Sequence, residues 1–279
     1  MGTSKIAKAL TIAGSDCSGG AGIQADLKTF QELRVYGMSA ITAITCQNTL
    51  GVQGIYPLPV EAVCEQLDAI YADLVPDAVK TGMLFSSEII HAVADKMRQY
   101  ACRNLVVDPV MIAKGGAALL REEAMRAMRE ALLPLALVVT PNMPEAEALT
   151  GYAITGTEGR KEAARRLADM GARYVLIKGG HADAEDSAEV VDLLFDGRDF
   201  TEFAGPRTVT AHTHGTGCTF AAAFAAGLAR GDSITDAARL AKDFITAAIE
   251  DGLGIGSGHG PTNHWAYQDR RRAQANGGV

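Results

Sequence analysis

Hydrophobic and polar positions follow two rhythms along this chain. Short runs rich in β-branched residues, beginning with ALTIAG (9–14), give way to stretches where apolar side chains recur every three or four positions, as Ile23, Leu27, Phe30 and Leu33 do. The first rhythm is that of a buried strand and the second that of an amphipathic helix. The same succession predicts strands at SAITAIT (39–45), DAVKTGM (77–83), NLVVDPV (104–110), ALVVTPN (136–142) and RYVLIKGG (173–180). Helices are predicted between them at VEAVCEQLDAIYADL (60–74), SEIIHAVADKMRQY (87–100), REEAMRAMREALL (121–133) and EGRKEAARRLADMG (158–171). Such alternation builds a mostly parallel sheet covered by helices on both faces, an α/β fold of three layers, α/β/α. Between 187 and 210, Asp196-Gly197 separates two β-rich runs, which reads as a hairpin added to the sheet edge. No repeat, Pro/Gly/Ser-rich linker or break in composition divides the chain. A single domain over 1–279 is expected, with its core at about 6–265 and a disordered tail at 268–279.

Composition narrows the function. The 279 residues are 48% apolar, enough for a sizeable core, and the net charge of -7 makes the molecule as a whole repel polyanions. Nucleic acid and membrane surfaces are therefore not expected partners, and any phosphate must be held by a local site. Five cysteines, at 17, 46, 64, 102 and 218, form no C-x-x-C pair, so neither a disulfide framework nor a zinc site is expected. The pattern KALTIAGSD begins within eight residues of the start, and no run approaches 18 apolar residues, so an unprocessed cytoplasmic protein is expected.

In an open parallel sheet, ligands bind beyond the carboxyl ends of the strands, and five loops there carry unusual residues. GSDCSGGAGIQAD (14–26) has four glycines around Ser15, Asp16 and Ser18 but matches neither G-x-G-x-x-G nor a P-loop, and a flexible turn with a helix cap explains it equally well. VDPVMIAKGG (107–116) places Asp108 at a strand end, where it could hold a metal or start an Asp-Pro turn. TPNMPEAEAL (140–149) sets Asn142 and Glu145 at capping-box spacing, which also puts an amide and a carboxylate where Mg²⁺ could sit. VLIKGGH (175–181) ends a strand on Lys178, a point charge for a phosphate or a solvated surface lysine. His91, His181, His259 and His264 show no ligand spacing.

The fifth loop, HTHGTGCTF (212–220), runs into the alanine-rich helix 217–230. Gly215 and Gly217 let backbone N–H groups converge at a helix N-terminus, where the dipole favours an anion. An oxyanion or phosphoryl site is the physical expectation, with Cys218 beside it.

Taken in order, LTIAGSDCSGGAGIQADLKTF, QNT, VKTGML, VDPVMIAKGG, TPNMPEAEALTG, IKGGH, HTHGTGCTFAAA and GHGPTNH resemble the bacterial hydroxymethylpyrimidine/phosphomethylpyrimidine kinases of thiamine biosynthesis, members of the ribokinase-like superfamily. The resemblance runs from about Ala9 to His264. It implies a homodimeric kinase using ATP and Mg²⁺ to convert 4-amino-5-hydroxymethyl-2-methylpyrimidine to its monophosphate and then to the pyrophosphate. Gly14, Asp26, Gln47, Met83 and Val110 match family positions around the pyrimidine. Asp108 and Glu145 match positions that organise Mg²⁺, Asn142 and Lys178 match nucleotide-side positions, and Gly215, Thr216, Gly217 and Cys218 form the turn that receives the γ-phosphoryl group. A glutamine amide complements the ring nitrogen and amino group of an aminopyrimidine.

Many ribokinase-like enzymes carry an aspartate base where this chain has Cys218. A helix N-terminus lowers a thiol's pKa, so some thiolate is expected at neutral pH, able to take the alcohol proton in the first transfer and unneeded in the second. Two positions depart from the family pattern: Cys17 stands where proline is usual, and His212 where asparagine is. Pyridoxal kinases share the fold and the phosphate site, but Ala113 stands where some of them carry a lid cysteine, so the pyrimidine is favoured. A cysteine hydrolase using Cys218 with His212 or His214, and a non-catalytic pyrimidine-binding protein, are more remote alternatives.

Overall fold

The computed structural model describes residues 5–111, 122–180 and 188–276. Its spine is β1 (Lys8–Asp16), in which every residue after Lys8 is buried, the condition of a parallel strand with helices on both faces. The chain continues through α1 (Gly22–Glu32), β2 (Tyr36–Asn48), β3 (Gly51–Pro57), α2 (Val60–Asp73), β4 (Ala78–Thr81), α3 (Ser87–Gln99) and β5 (Leu105–Val107). Then come α4 (Glu122–Ala127), β6 (Val138–Val139), α5 (Met143–Thr150), α6 (Gly156–Asp169), β7 (Tyr174–Ile177), β8 (Glu189–Phe195) and β9 (Phe200–Pro206), followed by α7 (Thr216–Arg230), α8 (Ile234–Glu250) and α9 (Ala266–Asn276). Among the described residues the sheet has nine strands in the order β3-β2-β1-β4-β5-β6-β7-β8-β9. The strands from β2 to β7 in that order run parallel, and β3 and the β8–β9 hairpin close the two edges antiparallel.

Because successive strand residues face opposite sides, each strand feeds two cores. Leu10, Ile12, Val79 and Val107 pack with α2 to α6 on one side. Ala9, Ala78, Val106 and Leu176 pack with α1, α7 and α8 on the other. The three-layer α/β/α architecture is the one expected from the pattern, and so is the edge hairpin. At its tip Gly197 takes a φ of +97° and the Asp196 carboxylate accepts from the amides of Arg198 and Asp199 at 2.8 and 2.7 Å.

Three local readings change. The strand β3 had no counterpart in the pattern, because Gly51, Gln53 and Gly54 interrupt its alternation, yet it pairs with β2 from Ala43 to Asn48. The helix expected over 121–133 is α-helical only to Ala127 and then widens into a π-helical turn (128–132) before Pro134 tightens it into a 3₁₀ turn. The tail expected to be disordered from 268 is helical through Asn276. Gln268 donates to the Glu32 carbonyl at 2.9 Å, and Arg270 meets Asp251 with a 2.6 Å contact from Nε. The loop segment with Ala113, Lys114, Gly115 and Gly116 lies outside the described residues, as does His181.

Candidate active site

The carboxyl ends of the parallel strands open into one cavity of about 700 Å³. The loop after β1, the end of β2, the β4–α3 and β5–α4 connections and the starts of α5 and α7 all reach it. Of the residues singled out in the sequence, Gly14, Gln47, Met83, Val110, Asp108, Asn142, Glu145, Lys178, Gly215, Thr216, Gly217 and Cys218 line this cavity. Asp26 does not.

On the β1–β2 side the wall is a hydrogen-bonded mesh. Thr45 Oγ1 donates to the Ser15 carbonyl at 2.8 Å and accepts from Gln47 Nε2 at 2.8 Å, which orients the glutamine amide along the rim. Gln24, which no motif marks out, bridges the loop by accepting from Asp16 N and donating to Ser15 Oγ, both at 2.8 Å. Cys17, the departure from proline, donates its thiol to the Gln47 carbonyl at 3.3 Å, a tether from the loop to β2. Met83 lies so close to Gly14 that a β-carbon there would be 2.4 Å from its methyl group. Met83 and Val110 give this side its apolar surface.

The opposite side concentrates charge. Asp108, at the end of β5, is 1% exposed. Its Oδ1 meets Lys178 Nζ at 3.1 Å, while its Oδ2 is buried with no hydrogen-bond partner among the described residues. An orphaned carboxylate oxygen is costly and marks a place built for another group. Asn142 and Glu145 form the expected capping box of α5: the Glu145 amide donates to Asn142 Oδ1 at 2.9 Å and the Asn142 amide to Glu145 Oε2 at 2.8 Å. Burial pushes the Glu145 carboxyl up to about 7, and Asp108 adds to the rise while Lys178 opposes it. For Lys178 burial works against the charge, but the Asp108 and Glu145 carboxylates hold its ammonium above the usual range.

Between the two sides stands the start of α7. Gly215 has a φ of +82° and, among the described residues, no side chain caps this helix start, although the Thr216 amide donates to the Thr213 carbonyl at 3.3 Å. A β-carbon on Gly217 would lie 3.3 Å from Lys178 Nζ and 3.7 Å from Asp108 Oδ2, so the missing side chain keeps the helix end open to both charges. The turn, the lysine and the carboxylate together make an anion site next to a cation site.

Cys218 faces this cavity, and its surroundings work against the thiolate that its helix position favours. Burial pushes the thiol up to about 11, assisted by the Asp26 and Asp108 carboxylates and resisted by Lys80 and the Gly22 amide. Neither neighbouring histidine hydrogen-bonds it among the described residues. His214 Nε2 meets Asp16 Oδ2 at 2.8 Å, and the buried Nδ1 of His212 has no hydrogen-bond partner among the described residues. The His212 imidazole packs against Gly260. His264 is a core residue beside Thr219 Oγ1 at 3.0 Å, and burial holds it down to about 4.

Asp26 lies beneath the cavity rather than on its wall. It is fully buried, accepts from Thr11 Oγ1 at 2.6 Å and pairs with Lys80 Nζ at 2.9 Å. Burial pushes its carboxyl up, against the pull of Lys80. Lys80 was not singled out as a site residue, although a lysine inside the strand DAVKTGM breaks the apolar run in the way a buried ion pair would. A second buried pair, Lys242–Asp192 at 3.0 Å, supports the far end of the cavity, where Val190, Pro206, Ile245 and Ile249 form an apolar slot.

A family model described as phosphomethylpyrimidine kinase matches residues 16–263. A hydroxymethylpyrimidine/phosphomethylpyrimidine kinase from Bacillus subtilis (strain 168) is 58% identical over 263 residues, covering 94% of this chain and 96% of that protein. Among solved structures, the chain is similar to an ADP complex of Bacillus subtilis pyridoxal kinase, with a TM-score of 0.88, 43% identity, and 95% and 99% of the two chains covered. It is also similar to a phosphomethylpyrimidine kinase from Clostridium difficile 630, with a TM-score of 0.78, 44% identity, and 88% and 100% covered.

Proposed function

The chain belongs to the phosphomethylpyrimidine kinase family, and from that premise we propose how its single domain performs two successive phosphoryl transfers from ATP. It is a phosphotransferase of thiamine biosynthesis. It converts 4-amino-5-hydroxymethyl-2-methylpyrimidine to the monophosphate and the monophosphate to the pyrophosphate. The observation that supports the reading best is the open Gly215–Cys218 turn beside Asp108 and Lys178, in one cavity with the amide-and-apolar wall of Gln47, Met83 and Val110.

The pyrimidine rests against Gly14, Met83 and Val110, with the Gln47 amide reading its ring edge, and Asp26 supports this side from below. The nucleotide enters from the apolar slot, its phosphates toward Asn142, Lys178 and the amides of Gly215, Thr216 and Gly217. The residues fit Mg²⁺: the orphaned Asp108 Oδ2 and the buried Glu145 carboxyl, whose charge burial disfavours until a cation offsets it, are hard-oxygen donors that a divalent cation would satisfy. When bound, the ion would neutralise phosphate charge. In the first transfer the substrate alcohol oxygen forms a bond to the γ-phosphorus as the bond to the ADP oxygen breaks, and the alcohol proton passes to the sulfur of Cys218 in its minor thiolate form, whose own proton has first been lost to solvent. The preorganised amides and Lys178 hold the charge spread over the equatorial oxygens. The second nucleophile is a phosphate oxygen that is already ionised and needs no base.

The protein is further proposed to be a cytoplasmic homodimer, consistent with the uncovered β3 edge and the exposed Leu50 and Tyr56 beside it. Mass analysis of products from Mg-ATP and the hydroxymethylpyrimidine checks the central reading: both phosphorylated species are expected. Pyridoxal kinases among the similar structures make pyridoxal the competing substrate, and a kcat/KM higher for pyridoxal than for the pyrimidine would reverse the assignment.

A further inference from the structure

The peptide bonds on both sides of Lys178 are held from outside its own strand. Before it, the Lys178 amide donates to the Pro141 carbonyl at 2.8 Å, beside the parallel bridge between Asn142 and Lys178. After it, the Gly179 amide donates to a side chain, Asp192 Oδ1 of β8, at 2.8 Å. This contact lies just beyond Ile177 and Leu193, the pair that ends the β7–β8 ladder. The two chains nevertheless stay close: a β-carbon on Gly179 would lie 2.0 Å from the Val191 carbonyl oxygen, so any side chain there would push β8 and its carboxylate away.

Asp192 is itself held. It is 4% exposed, its Oδ2 meets Lys242 Nζ of α8 at 3.0 Å, and the same ammonium donates to the Val190 carbonyl at 2.8 Å. Gly205 of β9 leaves room for the lysine stem, since a β-carbon there would lie 2.9 Å from Lys242 Cε. A buried ion pair adds little net stability over apolar residues of the same volume, so the consequence of this one is geometric. It fixes two points of β8 against α8 and aims one carboxylate oxygen at one amide. At the other end of the Lys178 side chain, Nζ stands 3.1 Å from Asp108 Oδ1, and a β-carbon on Gly217 would lie 3.3 Å from it. A long side chain turns a small rotation at its Cα into a larger displacement of its ammonium.

We propose that Asp192, held by Lys242, is a positioning residue for both phosphoryl transfers: by anchoring the peptide that follows Lys178, it keeps the Lys178 ammonium over the first turn of α7. The inference rests on the reading of Lys178 as a holder of charge on the transferring phosphoryl group. Asp192 acts through Lys178 rather than on the reacting atoms. Both transfers use the same phosphoryl site, so Asp192 serves both alike, whereas Cys218 serves the alcohol alone.

Two full-length double variants that differ only in the acceptor offered to Gly179 test this. Asp192→Asn with Lys242→Met removes both charges and leaves an amide oxygen for the Gly179 N–H. Asp192→Leu with Lys242→Met removes both charges and the acceptor, and it leaves no unpaired charge in the interior. Whatever Lys242 contributes elsewhere cancels between them. In single-turnover assays at saturating Mg-ATP, D192L/K242M is expected to be about tenfold slower than D192N/K242M with the alcohol and with the monophosphate alike. In a Lys178→Ala background the same two variants should differ by less than about twofold, because the group that Asp192 positions is gone. Equal rates in the two double variants, or the same difference with and without Lys178, would overturn the positioning role. If K178A alone leaves both transfers at the native rate, the reading of Lys178 falls and the inference with it. If K178A is slow while the two double variants are alike, only the positioning role falls. Should D192L/K242M fail to fold at assay temperature, D192A/K242M, with its smaller side chain, is read by the same comparisons.

Discussion

At the residue scale the decisive group is Cys218, because two opposing influences meet on its sulfur. The helix start and the Gly22 amide favour a thiolate, whereas burial and two carboxylates oppose it, and the thiol ends at about 11. At pH 7 the base form is then on the order of one molecule in ten thousand, and it grows about tenfold with each pH unit. The rate of the first phosphorylation is therefore expected to climb nearly tenfold per unit between pH 7 and 9, while the second stays comparatively flat. Cys218→Ala should abolish the slope and slow the first step by about 10²-fold, at the low end of general-base effects. Rapid-quench rates for both substrates across that pH range check it, and a first-step rate independent of pH in the native protein would contradict the assignment. The sequence told of the turn through its glycines but not of the thiol's true state. Asp26 and Asp108 come from α1 and the end of β5, and only the folded sheet carries their charge to position 218.

At the element scale, α5 illustrates how one device serves two ends. Its capping box was legible from the spacing of Asn142 and Glu145, a local relation that needs no tertiary knowledge. What the spacing could not convey is that the glutamate is buried beside Asp108, so that burial raises its carboxyl to about 7. The sign of the consequence follows from proton binding. Between the ordinary carboxylate range and about pH 7 the folded chain keeps a proton that the unfolded chain has released, so metal-free stability falls as pH rises through that window and levels off above it. Glu145→Gln retains an oxygen acceptor for the Asn142 amide and removes the titration. It is expected to make the metal-free protein more stable at pH 8, by on the order of 2 kcal/mol, while lowering kcat. Urea midpoints at pH 5.5 and 8 measure this directly, and a variant with the native pH slope would refute it. The first turn of α7 makes a similar point. A β-carbon at Gly217 fits the backbone but crowds Lys178 at 3.3 Å, so Gly217→Ala should fold normally yet lose most of its turnover in steady-state assays. The helices and buried strands were readable because their periodicity is strong. The strand β3 was not, because its pairing with β2 is decided by the edge of the sheet rather than by its own glycine-interrupted pattern.

At the scale of the whole molecule the sheet is a device for bringing distant loops to one rim, and the layer beneath that rim must tolerate charge. The resemblance placed Asp26 among substrate contacts; the folded chain puts it under the floor, sealed with Lys80 and Thr11 on the face that packs α1 and α7. No local signal in GIQADLKTF separates the two placements, since the same helical face carries both the loop end and the core. A buried pair of this kind is weak evidence of net stabilisation, but breaking it leaves a single unpaired charge in the interior. Asp26→Asn is therefore expected to destabilise the protein by about 3–5 kcal/mol, because Lys80 keeps its charge and loses its partner. Replacing both residues together, Asp26→Leu with Lys80→Met, should return most of that stability, since two apolar side chains of similar volume need no compensation there. Activity separates the two functions of the pair: the double variant loses both the ammonium that favours the Cys218 thiolate and the Asp26 carboxylate that opposes it, so its alcohol and monophosphate rates should keep nearly the native ratio. Chemical denaturation with both single-turnover rates reads the two effects independently, and a double variant as unstable as Asp26→Asn would show that the site's floor depends on the ion pair itself rather than on filled volume.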